Sequence, residues 1–374
     1  MQLKPINPGK TSPAWLNVHY DQVRPNISQG LMLSGAARSA PSLKGGLHHF
    51  SQLGPIKDPH AYLWDNWGVI DKQGTLFRFA LKSPKISELP GRQPVPIQPD
   101  ERHTHAEIAL YTASEHDPRW QDHGVVLSTS GEPRSWDSGV IWSGSALEYE
   151  DTLLLAYTGI SQASKSNDLF QRIGLALYNP ISHCLERLSA NPILDPEVLD
   201  AEELGYDLTD HDGQIMAWRD PKLWKDPDDG ALHIFFATKR RCPSTDGEGQ
   251  TEAAIGHARM KNQRLDQWEL LPPLNVPHQF AQIELPIIEK TNRGINLFFN
   301  TVSFDASGSR YQTFESYEAE EFDGVFRPIP GQCPFMILDG RYGYQFVASD
   351  LNGQQRLSLW FDDGDFSLSG VHAD

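Results

Sequence analysis

The fold class that this sequence predicts is all-β: a five-bladed β-propeller with a central, funnel-shaped active site. Three observations predict it. Beyond about residue 60 one grammar recurs five times: a motif, an apolar strand, a tight turn, a second apolar strand, and a further strand behind it. Strand formers fill these units, and helical periodicity is almost absent. A polar-aromatic motif opens each of the first four units. In a propeller the first strand of every blade lines the axial channel, so these motifs would converge on one funnel. A large sandwich is the alternative, and it gives the motifs no common destination.

The first unit runs from Trp64 to Leu81, with the turn Asp71-Lys72-Gln73-Gly74, and continues through Ala106–Tyr111. The second is Ser143–Tyr149, Leu153–Thr158 and Ile173–Tyr178. The third is Asp220–Trp224, the hairpin turn Asp226-Pro227-Asp228-Asp229-Gly230, then Leu232–Ala237 and Ala253–Ala258. Ile283–Ile288, Ile295–Phe299 and Gln312–Tyr317 make the fourth, and Tyr344–Ser349 with Leu357–Phe361 the fifth. Residues 1–45 are rich in Pro, Gly, Ser and Asn and read as an N-terminal arm packed on the propeller, with residues 46–374 as a single catalytic domain.

Composition narrows the partners. A net charge of -17 argues against nucleic acid and against an anionic membrane surface, and favours a neutral or cationic small molecule. Ten Trp, eleven Tyr and seventeen Phe supply rings for stacking on sugars. The opening Met1–Pro8 has no apolar leader, and no stretch is long and apolar enough to span a bilayer, so a cytoplasmic location is expected. Cys184, Cys242 and Cys333 form neither a disulfide framework nor a metal motif. No cofactor and no metal is expected. His103-Thr104-His105 reads as one face of a strand, Asp207, Asp210 and Asp212 lack the calcium-loop spacing, and Gly9-Lys10-Thr11 lacks the rest of a phosphate loop.

The chemistry sits in Trp64-Asp65-Asn66-Trp67. An Asp held between two indoles is partly desolvated and needs hydrogen bonds or a task, although capping a turn beside core aromatics would also account for it. Asp65, Asp220 and Glu284 occupy equivalent places in three units. Glycoside hydrolysis needs two carboxyls across the scissile bond, and a third anion can hold the sugar. Ile283, Leu285 and Pro286 promise Glu284 an apolar setting that raises its pKa and suits a proton donor, while Arg219 beside Asp220 favours its ionised form. A turn with a surface salt bridge is the plainer account of Arg219-Asp220-Pro221.

Trp64-Asp65-Asn66-Trp67, Trp142-Ser143-Gly144-Ser145-Ala146, Arg219-Asp220-Pro221 and Ile283-Glu284-Leu285-Pro286 come in an order and spacing that resemble the levansucrase–inulosucrase family of glycoside hydrolases. That resemblance, over about residues 60–350, implies a five-bladed propeller acting on β-fructofuranosides such as sucrose with retention. It implies Asp65 as nucleophile, Glu284 as acid/base and Asp220 as transition-state stabiliser. Trp64, Trp67, Trp142, Ser143, Arg219 and Gln282 would bind the sugar, with the Asp65–Glu284 carboxyls roughly 5–5.5 Å apart. The chain departs from the family where Glu and Arg are usual: it carries Gln282 and Leu285, Gly68 replaces a Pro, and Ser303-Phe304 falls where an Arg would meet the leaving glucose. Trp136-Asp137-Ser138-Gly139 looks closer to the related invertase–fructanase family. The fructosyl pocket is therefore expected to be kept and the leaving-group side altered, with hydrolysis favoured over polymer synthesis. An inverting arabinoside or xyloside hydrolase, and a sugar-binding propeller without catalysis, are the rival readings.

Overall fold

The structure is a computed structural model that describes residues 53–373 apart from short stretches, among them 209–216, 243–249, 305–309, 330–335 and 363–369. For the strands after residue 335 it describes the backbone alone. The expected arm, residues 1–45, lies outside the described residues, as do Asp210, Asp212 and Gly9-Lys10-Thr11.

The described residues form a β-propeller. The first sheet takes β1 (Ala61–Ile70), β2 (Thr75–Pro84), β5 (Glu107–Ser114) and β6 (Gln121–Leu127), with the short pair β3 (Ile86–Ser87) and β4 (Val95–Pro96) beside it. The second takes β7 (Val140–Tyr149), β8 (Thr152–Ile160), β9 (Gln171–Asn179) and β10 (Cys184–Arg187). The third takes β11 (Trp218–Lys225), β12 (Leu232–Cys242), β13 (Gln250–Met260) and β14 (Trp268–Leu271). The fourth takes β15 (Gln282–Thr291), β16 (Gly294–Phe304), β17 (Arg310–Ala319) and β18 (Arg327–Pro328), with β19 (Met336–Leu338) paired to β17. Each is an antiparallel meander closed by tight turns, as the alternating apolar runs predict. Each also has an outermost strand that the sequence reading did not resolve, seven residues long in the first sheet and two to four in the others.

The chain's last strands, β20 (Gly343–Ser349), β21 (Gln355–Asp362) and β22 (Gly370–Ala373), form a meander of their own. It joins the first sheet through β20, which pairs in parallel with β1 at Gly68–Ile70.

The core lies between sheets. One cluster joins Trp64, Phe79 and Leu110 of the first sheet to Ile141, Leu155 and Tyr157 of the second. A second packs Leu154 and Leu175 against Trp218, Leu223 and Phe236. A third packs Trp224, Phe235 and Ile255 against Ile283, Leu297 and Tyr317. Burial on both faces explains why the strands read as near-continuous apolar runs. Polar ties cross the same seams. Ser145 Oγ accepts the Leu223 N–H at 2.7 Å; within the second sheet, fully buried Asp137, just ahead of β7, accepts from Tyr157 at 3.0 Å and Arg187 at 2.6 Å.

The third blade buries a histidine pair. His233 Nδ1 lies 2.8 Å from His257 Nε2, among Trp224, Phe235 and Phe322. Burial holds both imidazoles neutral, with pKa values pushed down to about 4 and about 3. The unfolded chain therefore takes up protons that the folded chain refuses. Stability is full above the ordinary histidine pKa of about 6.5 and falls as pH drops toward 4, at about 1.4 kcal/mol per pH unit and proton. Melting temperatures between pH 7.5 and 4.5 are expected to fall along this slope, and a His233→Leu/His257→Leu variant to flatten it, where pH is the only variable changed.

Candidate active site

The inner strands β1, β7, β11 and β15 carry the four motifs, and each is broken by a bulge at its motif. The register shifts between Trp64 and Asn66, Trp142 and Gly144, Arg219 and Lys222, and Glu284 and Ile287. A bulge leaves its extra residue out of the ladder and re-aims its side chain. Asp65, Asp220 and Leu285 adopt left-handed φ values of 43, 56 and 52, a conformation that costs a non-glycine residue about 1–2 kcal/mol. In the fourth sheet the left-handed residue is Leu285, just before Pro286, as Asp220 is just before Pro221. Glu284 therefore stands one residue ahead of the place Asp220 occupies, a correction to the equivalence expected of the three acids.

Hydrogen bonds hold the acids together. Ser143 Oγ lies 2.7 Å from Asp220 Oδ1 and 3.2 Å from Asp65 Oδ2, so its single proton is shared by two carboxylates. The Leu285 N–H donates to Asp220 Oδ2 at 3.2 Å, and Arg219 Nε is 3.8 Å from the same oxygen. Arg219 Nη2 also stands 3.5 Å from Glu284 Oε1, which accepts a hydrogen bond from Gln282 Nε2. Asp65, Ser143, Asp220, Arg219, Gln282 and Glu284 thus form one connected group. Glu284 is held by an arginine and an amide, not in the apolar setting expected from Ile283, Leu285 and Pro286.

Buried residues that sequence reasoning missed fix this group. Thr158 Oγ1 accepts the Asp220 N–H at 3.0 Å and donates to the Ser143 carbonyl at 3.0 Å. Gln171 Oε1 accepts the Trp218 N–H at 2.9 Å and faces Arg219 Nη1 at 3.5 Å. Both are fully buried polar residues, and the partners that explain them lie on other strands, far away in sequence.

The aromatic residues divide. Trp64 and Trp142 flank His103: the His103 ring meets Trp64 edge-on at 5.5 Å, and Trp142 Nε1 donates to the His103 carbonyl at 2.7 Å. His103 sits in a 3-10 turn, Arg102–Thr104, not on a strand face, and Arg102 lies over Trp64 at 5.1 Å. Trp67, expected with the sugar-binding rings, is buried in the same core cluster as Trp64 and Trp142; it stacks on Phe79 at 6.1 Å and lines the cavity that Asp220 also lines. Ser303 and Phe304 have only their backbone described, at the end of β16.

The sequence model of a family described as Levansucrase/Invertase matches residues 10–242, more than half of the chain. The chain belongs to that family of glycoside hydrolases. It is an enzyme, of the kind that hydrolyses fructosides or transfers fructosyl groups. An extracellular sucrase of Zymomonas mobilis subsp. mobilis is 24% identical over 336 residues, covering 76% of this chain and 73% of that protein. Bacillus subtilis levansucrase shares the fold with a TM-score of 0.58 at 14% identity, over 95% of this chain and 90% of its own. A B. megaterium levansucrase variant does so with a TM-score of 0.54 at 16% identity, over 84% and 81%. The expectation of a cytoplasmic location is corrected here: the sucrase that this family member resembles is extracellular, and the polar start of the chain does not assign a compartment.

Ser143→Ala removes the shared proton and leaves two neighbouring carboxylates facing each other. Turnover of the family's substrates is expected to fall about 10²-fold with the melting temperature nearly unchanged, measured by steady-state kinetics beside a thermal melt.

Proposed function

We propose that this protein is a retaining β-fructofuranosidase that acts on sucrose or a related fructoside and passes the fructosyl group mainly to water. The observation that carries the reading is the connected group of Asp65, Ser143, Asp220, Arg219 and Glu284 at the head of the inner strands. Asp65 attacks the anomeric carbon as the glycosidic bond to the leaving oxygen breaks, and Glu284 donates its proton to that oxygen. Glu284 then takes a proton from water, whose oxygen displaces Asp65 from the fructosyl ester. Asp220, its oxygens already fixed, holds ring hydroxyls and faces the positive charge that develops on the sugar. Gln282 and Arg219 both engage Oε1 of Glu284 and hold the carboxyl in place.

Trp64, Trp142, Ser143 and Arg219 are the proposed fructosyl subsite, and Gln282 with Leu285 marks its altered leaving-group side. The relative's name supports sucrose as the first substrate to try. The meander β20–β22, seated on β1, supports reading the fold as five-bladed, with β20 as the fifth inner strand.

Glucose and fructose released from sucrose should be quantified separately for the wild type, Asp65→Asn and Glu284→Gln. Equal release that falls about 10²–10⁴-fold in both variants is the expected outcome. Glucose in excess of fructose would mean transfer to a sugar acceptor, and release insensitive to Asp65→Asn would remove the covalent step. A crystal structure with the two carboxyls roughly 5–5.5 Å apart fits retention, and about 8 Å would mean inversion.

A further inference from the structure

Past the carboxylates, the inner strands β1, β7, β11 and β15 line a cavity of ≈ 30 Å³, roughly twice the space that one water molecule needs. Three consecutive residues from each strand line it: 66–68, 144–146, 220–222 and 285–287. Among them is Lys222, 5% exposed and two residues beyond Asp220. Among the described residues no carboxylate lies within ion-pair distance of its ammonium, and burial alone draws its pKa down, to about 7. A buried ammonium without a counter-charge is costly, and the inner wall of a channel is an odd place to keep one.

The rest of the lining is rich in donors. Trp67 Nε1 is buried without an acceptor. Asn66 spends its carbonyl on Arg78 Nε at 3.2 Å, which leaves its amide hydrogens. Ser145 Oγ already accepts the Leu223 N–H at 2.7 Å, so its own proton is left to donate. Among the described lining residues the one carboxylate, Asp220, has its oxygens met by Ser143, the Leu285 N–H and Arg219. Water in such a cavity would find donors and few acceptors for its own protons. A species that only accepts matches it.

We propose that this cavity is a binding site for a halide-sized monovalent anion, held by Lys222 with donors from Asn66, Ser145 and Trp67. Bound there, the anion ties three inner strands together beneath the catalytic carboxylates and completes the charge of Lys222 without touching the sugar. The inference stands apart from the proposed reaction, because its readout is binding and not turnover.

The test is a set of thermal melts of the full chain at pH 6 and constant ionic strength, with sodium gluconate replaced stepwise by sodium chloride or sodium bromide. A saturable rise in Tm is expected, about 3–4 °C at a hundredfold excess over the dissociation constant. Lys222→Met keeps the buried stem and should lose the halide-specific rise. Equal melting in gluconate and halide would overturn the proposal, and so would a rise that survives Lys222→Met. Should that variant not fold, chloride NMR on the wild type decides: line broadening that bromide competes away supports the site, and unbroadened chloride overturns it.

Discussion

Everything at the mouth of this propeller depends on a backbone irregularity repeated on four strands. A regular inner strand would point alternate side chains into the channel and into the blade, and would set each carboxylate by the pleat alone. The bulges at Asp65, Ser143, Asp220 and Leu285 release these positions from the ladder at a common level. The left-handed φ values are costs carried by the fold. They are offset by bonds that exist only because the backbone bends, such as the Leu285 N–H to Asp220. Strain and site are the same feature.

Because the core lies between sheets, the relative position of neighbouring blades sets the distances among the acids. The seam between the second and third sheets is fixed by Ser145 to Leu223, Thr158 to Asp220 and Gln171 to Trp218, all buried. Each bond satisfies a backbone N–H of β11 with a side chain of the adjacent blade, so the arginine-aspartate pair is aimed by its neighbour as well as by its own strand. Such bonds are costly to lose, since the freed N–H has no water to turn to.

Much of this was legible in the sequence. The blades were read from alternating apolar runs and turn residues, because those signals are local. The outermost strands were missed: Cys184–Arg187 and Arg327–Pro328 are short and partly exposed, and carry little apolar pattern. The acids were found because a carboxylate beside indoles or next to Arg-Pro is unusual in a strand. Their exact mutual register was not, since a bulge shifts a side chain by one place without changing composition: Glu284 precedes the left-handed residue, whereas Asp65 and Asp220 are that residue. His103, Thr158 and Gln171 act across blades, at separations that no local pattern encodes.

Ser143 has one proton and two anionic neighbours, and this makes the hydroxyl an arbiter between them. While both Asp65 and Asp220 carry charge, the closer partner, Asp220, holds the better share of it. Were Asp65 to lose its charge, the rival claim would lapse and the whole hydrogen bond would pass to Asp220. The anion that remained would be the one whose oxygens already meet Ser143 and the Leu285 N–H. A residue with no acid-base role of its own thereby lets one carboxylate register the state of the other.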